Sequence, residues 1–182
     1  GRYNRPMDGT GLAVALLVED GFDDRELTDI SAGLLAAALQ VVTVGPIAGR
    51  AYAGRQGVAR VTAELAPRAA AERGFAAVVI PGGYAPDRMR LRHGLIDLVR
   101  ETLRAGRPVG TVGHGAQVLI SADVIRGRTL TCWPSIAVDV KNAGGLYVDR
   151  PVAEDGALIT ARKADDIPAF IATIVRAIGR AG

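Results

Sequence analysis

A chain of 182 residues and 18.9 kDa, 49% hydrophobic and 23% charged, has the apolar content for one full core, which excludes a tandem-domain architecture. One cysteine, Cys132, and two histidines, His93 and His114, exclude an intrachain disulfide, a multi-cysteine zinc site and a cysteine-ligated iron–sulfur cluster, so neither a metal nor another cofactor is expected. The 22 basic and 19 acidic residues leave +3 at pH 7, dispersed along the chain, and neither nucleic acid nor a membrane surface is an expected partner.

Residues 1–10 read as a flexible arm or cloning scar, since Gly1 to Pro6 carry no hydrophobic pattern, and residues 11–182 read as one domain. No apolar run nears the roughly 20 residues of a membrane-spanning helix, and no signal-peptide pattern opens the chain, so a cytoplasmic protein is expected. Leu12 to Val18 is a nearly continuous apolar run, the pattern of a strand covered on both faces. A helix follows from about Arg25 to Leu39, with Leu27, Ile30, Leu34, Leu35 and Ala38 on one face, and then a strand over Val41 to Val44. The Gly-rich stretch from Ala48 to Val61 predicts a hairpin or long loop, and Ala76 to Ile80 a buried strand. Ile96, Leu98, Val99 and Leu103 mark a helix, Val109 to Val112 a strand, and Val118, Leu119 and Ile120 a further helix. Short strands near Thr129 to Thr131 and Leu158 to Thr160 precede a closing helix from about Asp165 to Ile178. Strands alternating with helices predict an α/β fold, a mostly parallel central sheet sandwiched by helices.

Ligands of such sheets bind at the carboxyl ends of the strands, and three strand ends here are chemically unusual. After Val112 comes Gly113-His114-Gly115, a strand–turn–helix elbow of the kind that presents a nucleophile, but its apex residue, Gly113, has no side chain. After Val18 lie Glu19, Asp20, Asp23, Asp24, Glu26 and Asp29, at least four of which are expected to cap the helix or complement its dipole. Glu26 is the exception, about one turn into the helix, where a desolvated carboxyl group would stay protonated near neutral pH. After Ile80, Gly82 and Gly83 offer backbone N–H groups to an oxygen. Asp87 and Arg88 read from composition as solvated loop charges, His93 as a surface helix cap, and Cys132 as inert core.

These segments resemble the PfpI/ThiJ superfamily, whose fold is flavodoxin-like, that of the class I glutamine amidotransferases. The resemblance runs from Leu12 to about Ile178 and rests on Gly21 to Leu27 (GFDDREL), Val79 to Arg88 (VIPGGYAPDR) and Gly113 to Ala122 (GHGAQVLISA). Arg126 to Thr131 and Asn142 to Asp149 are similar to the PfpI branch as well. In that family a low-pKa cysteine at the elbow is followed by histidine and hydrogen-bonded to a carboxyl group of the first helix. By position the carboxyl group is Glu26 and the histidine His114, Asp87 stands where a neighbouring subunit's acid orients that histidine, and Trp133 takes the aromatic position of the pocket. The cysteine is replaced by Gly113.

The resemblance therefore implies a cleft for a small-molecule metabolite, shared between subunits of a homodimer or hexamer, without the family's thiol chemistry. If it is catalytic, non-covalent acid/base chemistry is expected (hydration, dehydration or isomerisation), with Glu26 as acid/base, His114 as proton shuttle, Asp87 as orienter, and Gly82, Gly83, Gly113, Gly115 and Trp133 around the substrate. The alternatives are a pseudoenzyme for ligand sensing or protein interaction, and a hydrolase or hydratase inactivated by a cysteine-to-glycine change.

Overall fold

The computed structural model describes residues 12–181, so the expectation for residues 1–10 lies outside the described residues. The chain begins with β1 (Ala13–Leu17), α1 (Asp24–Ala36) and β2 (Gln40–Val44), then the β3 (Ala51–Ala53) and β4 (Arg60–Thr62) hairpin. Next come α2 (Pro67–Arg73), β5 (Ala77–Ile80), α3 (Ala85–Met89), α4 (His93–Arg104), β6 (Val109–Val112) and α5 (Ala116–Ser121). The last third holds β7 (Thr129–Leu130), α6 (Ala137–Asn142), β8 (Leu146–Tyr147), β9 (Val152–Asp155), β10 (Leu158–Ala161) and α7 (Ile167–Ala181).

Six strands form the main sheet in the order β2-β1-β5-β6-β10-β9, all parallel except β9, which pairs antiparallel with β10. Every residue of β1, β5, β6 and β10 is buried, which is why β1 and β5 are continuous apolar runs in sequence, while β6 and β10 are apolar apart from Gly110 and the buried Thr111 and Thr160. Helices cover the sheet: α1 packs on α7, while α4 packs with α2 and α5. Helix α1 buries Leu27, Ile30 and Leu34, one stripe of the helical period, and it stops before the predicted Leu39 because Ala38 adopts φ +62° and turns the chain into β2.

Of the hairpin or long loop expected over Ala48 to Val61, a hairpin forms, with Ala51 opposite Thr62. His93, expected as a surface cap at a helix start, is exposed and is the first residue of α4, with Arg92 at the N-cap position. Five elements had no sequence signal. Helix α2 buries only Ala70 and so shows no apolar stripe, α3 and α6 are one turn or so long, β8 has two residues, and the edge strand β9 mixes Val152 and Ala153 with Glu154 and Asp155.

The strand order locates the ligand site. From β1 the chain moves outward to β2, then returns to the other side of β1 as β5 and continues to β6 and β10. The loops leaving β1 and β5 therefore diverge, opening a crevice at their carboxyl ends, the topological switch point of an open α/β sheet.

Candidate functional site

A cleft of about 480 Å³ opens at that switch point, with Glu26, Arg55, Gly83, Gly113, His114 and Trp133 in its walls. Its floor is built by the first turn of α1. Asp23 is the N-cap, its Oδ1 accepting the Glu26 N–H at 2.9 Å, and the cap fixes the turn that carries Glu26. The Glu26 side chain is buried, and its Oε2 accepts the Gly82 N–H at 3.0 Å. Its other oxygen, Oε1, faces Gly113, where a Cβ would lie 3.0 Å away. Burial, reinforced by the Asp23 charge, pushes the Glu26 carboxyl up to about 8, against the opposing pull of the Gly82 N–H, Arg55 and Arg25. Glu26 is therefore largely protonated at neutral pH, as expected for a desolvated acid.

Gly113 opens the short 3₁₀ turn (Gly113–Gly115) between β6 and α5 with φ +58°, in the left-handed region that an L side chain enters at a cost of about 1–2 kcal/mol. Besides Glu26, a Cβ there would meet only the Arg162 carbonyl oxygen, at 3.5 Å, among the described residues. The elbow is a bare patch of backbone beside a protonated carboxyl group. His114 follows it, half-buried, its ring stacked on Trp133 with centroids 6.1 Å apart and planes 25° apart. Burial, and then the Arg55 charge, lower the His114 pKa, so the ring is neutral at pH 7. Trp133 is anchored by its backbone N–H, which donates to the Gly113 carbonyl at 3.3 Å.

The structure thus brings Glu26, Gly83, Gly113, His114 and Trp133 together. Gly82 lies behind them: its N–H is committed to Glu26, so it holds the acid and is not offered to a ligand. Gly115 also lies outside the cleft, packed where a Cβ would be 2.8 Å from the Ile80 carbonyl oxygen. Asp87 is exposed on α3 and does not line the cleft of its own chain. Cys132 is fully buried, and burial, with the Asp139 charge, pushes its thiol up to about 12, the state of an inert core cysteine.

Arg55 and Gln56 reach the cleft from the tip of the β3–β4 hairpin, a contribution with no motif to announce it. What brings them in is Asp24, one of the six acids after β1 and a first-turn residue of α1. Its N–H donates to Gln56 Oε1 at 3.0 Å, and its carboxylate accepts the N–H groups of Gln56, Val58 and Ala59 at 2.9, 2.8 and 2.6 Å. Burial opposes the Asp24 charge, but these donors outweigh it and hold the pKa below the usual aspartate value. Asp20 ties down the same hairpin through the Ala53 N–H at 3.1 Å, and buried Glu19 pairs with Arg92 at 3.1 Å. Of the six acids, Asp23 is the one that makes a capping bond among the described residues. Replacing Asp24 by Ala should destabilise the fold by about 2 kcal/mol in urea titrations and speed amide exchange at Gln56, Val58 and Ala59, because three donors lose their acceptor.

Among the described residues, no group of three or more His, Cys, Asp and Glu side chains could hold a metal, and no helix is long and apolar enough to cross a membrane. The sequence pattern of the DJ-1/PfpI family matches residues 13–177. The chain is 38% identical over 167 residues to "Protein/nucleic acid deglycase 2" of Escherichia coli, covering 91% of this chain and 97% of that protein. It is 33% identical over 161 residues to "General stress protein 18" of Bacillus subtilis, covering 88% and 94%. Among solved structures, a two-domain protein of Anabaena variabilis with DJ-1/ThiJ/PfpI-like and ferritin-like domains superposes with a TM-score of 0.89 at 37% identity, over 92% of this chain and 48% of that one. Drosophila melanogaster DJ-1beta shares the fold, with a TM-score of 0.84 at 23% identity over 94% and 95%.

Proposed function

The chain belongs to the DJ-1/PfpI family, and from that premise we propose that its cleft binds a small carbonyl-containing metabolite and works on it by proton transfer, without a covalent thiol step. The observation that carries this reading is the Glu26 carboxyl group, buried against the bare backbone of Gly113 and with a pKa near 8. A carboxylic acid that keeps its proton at pH 7 is a general acid for a carbonyl or hydroxyl oxygen, and its conjugate base can take the proton back. Neutral His114 is the second proton carrier, Gly83 and the elbow backbone shape the oxygen's seat, and Trp133 closes the wall. Addition or elimination of water and proton-transfer isomerisation are the reactions these groups suit. Several relatives are named deglycases, and a thiol-dependent form of that activity is not part of the proposal, because Gly113 occupies the elbow and Cys132 is buried.

The proposal includes assembly into a homodimer or hexamer in the cytoplasm, with exposed Asp87 reaching the cleft of a second copy to orient its His114. Residues 11–182 would act as one domain. With a substrate found by screening small carbonyl metabolites, Glu26→Gln should lower turnover about 100-fold with little change in binding. Undiminished turnover would refute the acid/base role. Saturable binding without product in the unaltered protein would favour the sensor reading, which the missing nucleophile at Gly113 also supports.

A further inference from the structure

Resting on the acid/base reading above, we propose that the cleft selects small carboxylates that bear a carbonyl or hydroxyl group on the adjacent carbon, and that Arg55 takes the carboxylate. Arg55 is held in place before any ligand arrives. The hairpin tip that carries it is fastened to α1 by Asp24, the Arg55 backbone N–H donates to the Phe22 carbonyl at 2.9 Å, and the guanidinium lies over the Tyr84 ring with its carbon 5.1 Å from the ring centroid.

Its donors are nearly all unused. One terminal nitrogen is 3.4 Å from Asp23 Oδ2, and the side chain makes no hydrogen bond among the described residues. Asp23 has little more to give, since its Oδ1 accepts the Glu26 N–H and its Oδ2 the Gln56 amide at 3.4 Å. A guanidinium has five N–H groups in a planar fork, a shape that matches a carboxylate in two-point contact. Arg55 lines the same cleft as Glu26 and His114, and its charge lowers the pKa of both.

The charge balance of the cleft agrees. Arg25, Arg55 and Lys163 line it against Asp23 and Asp165, and Glu26 is uncharged at neutral pH, which leaves an excess of one positive charge. Arg25 is divided between Asp29 and Asp165, and the Lys163 ammonium is 3.8 Å from Asp165. A volume of about 480 Å³ lies in the range of small-molecule pockets.

Calorimetric titration tests the assignment with glyoxylate and lactate as carboxylate probes, glycolaldehyde and lactamide as neutral counterparts, and inorganic phosphate as a second anion. The carboxylates should bind at least tenfold more tightly than their neutral counterparts. Arg55→Gln should erase that preference, Arg55→Lys should keep part of it, and Glu26→Gln should leave it intact. Equal affinity for the neutral probes, or an undiminished preference in Arg55→Gln, would overturn the proposal, and phosphate binding as tightly as the carboxylates through Arg55 would overturn the carboxylate assignment. Because the Glu26→Gln arm reads binding alone, an acid/base reading that failed on turnover would leave this result standing, and the reverse holds as well.

Discussion

Replacing Glu26 by Gln should change the pH dependence of folding by about 4 kcal/mol between pH 5 and pH 9, measured as the difference between the two proteins in urea titrations across that range. In the native chain the Glu26 carboxyl has a pKa of about 8, against 4.5 for an unperturbed glutamate. Between those values the unfolded chain has lost the proton that the folded chain keeps, so the folded state binds more protons and loses stability as pH rises. The contribution of Glu26 is fully present below about pH 4.5 and gone above about pH 8, at roughly 1.4 kcal/mol for each pH unit in between. Glutamine carries no proton to lose, and its carbonyl oxygen can accept the Gly82 N–H as Glu26 does. Other groups, such as His114 with its lowered pKa, titrate in both proteins and cancel in the difference. Parallel pH profiles for the two proteins would mean that Glu26 is ionised in the folded state, and the general-acid role would fall with it.

The site was legible where it follows the chain. Glu26 is the third residue of a helix that follows β1, and Gly113 and His114 follow β6, so strand periodicity put them at carboxyl strand ends of one sheet, whereas Trp133 follows β7 of a separate two-stranded sheet and came only with the family resemblance. What the residue types could not convey is which acceptor each donor finds. Gly82 looked like a ligand donor because its N–H stands at a strand end, yet that N–H is spent on Glu26. Asp24 looked like a helix-end acid because it is in the first turn, yet its carboxylate faces the hairpin 32 to 35 residues away. Arg55 enters the cleft through that long-range fastening, and no local pattern around it carries the information. The same holds for the fold. Strands buried on both faces are visible as apolar runs, whereas β9, exposed at Glu154 on the sheet edge, and α2, with alanine as its buried residue, bury too little large apolar surface to leave a period.

Gly113→Cys should create a thiol that reacts with iodoacetamide at least 1000-fold faster at pH 7 than Cys132 does in the same folded molecule, read peptide by peptide by mass spectrometry. Cys132 is fully buried with a pKa of about 12, so its thiolate fraction at neutral pH is on the order of 10⁻⁵ before access is considered. A side chain at position 113 would instead face the cleft, its Cβ 3.0 Å from Glu26 Oε1 and 3.5 Å from the Arg162 carbonyl. With Glu26 protonated, its O–H can donate to the new thiolate and stabilise the ionised form, a reversal of the repulsion an ionised carboxylate would exert. The substitution carries a cost. The backbone at φ +58° disfavours an L side chain by about 1–2 kcal/mol, and Glu26 Oε1 must retreat by a few tenths of an ångström while Oε2 stays anchored on Gly82. Gly113→Ala bears the same backbone cost without the thiol, so the two variants should lose similar stability in urea while only one gains a fast-labelling site. The thiol's advantage should shrink above pH 8, as Glu26 ionises and its donated hydrogen bond is replaced by like-charge repulsion. Equally slow labelling at both cysteines would mean that the elbow is closed to the cleft, and the space beside Gly113 could not then admit a reacting carbonyl.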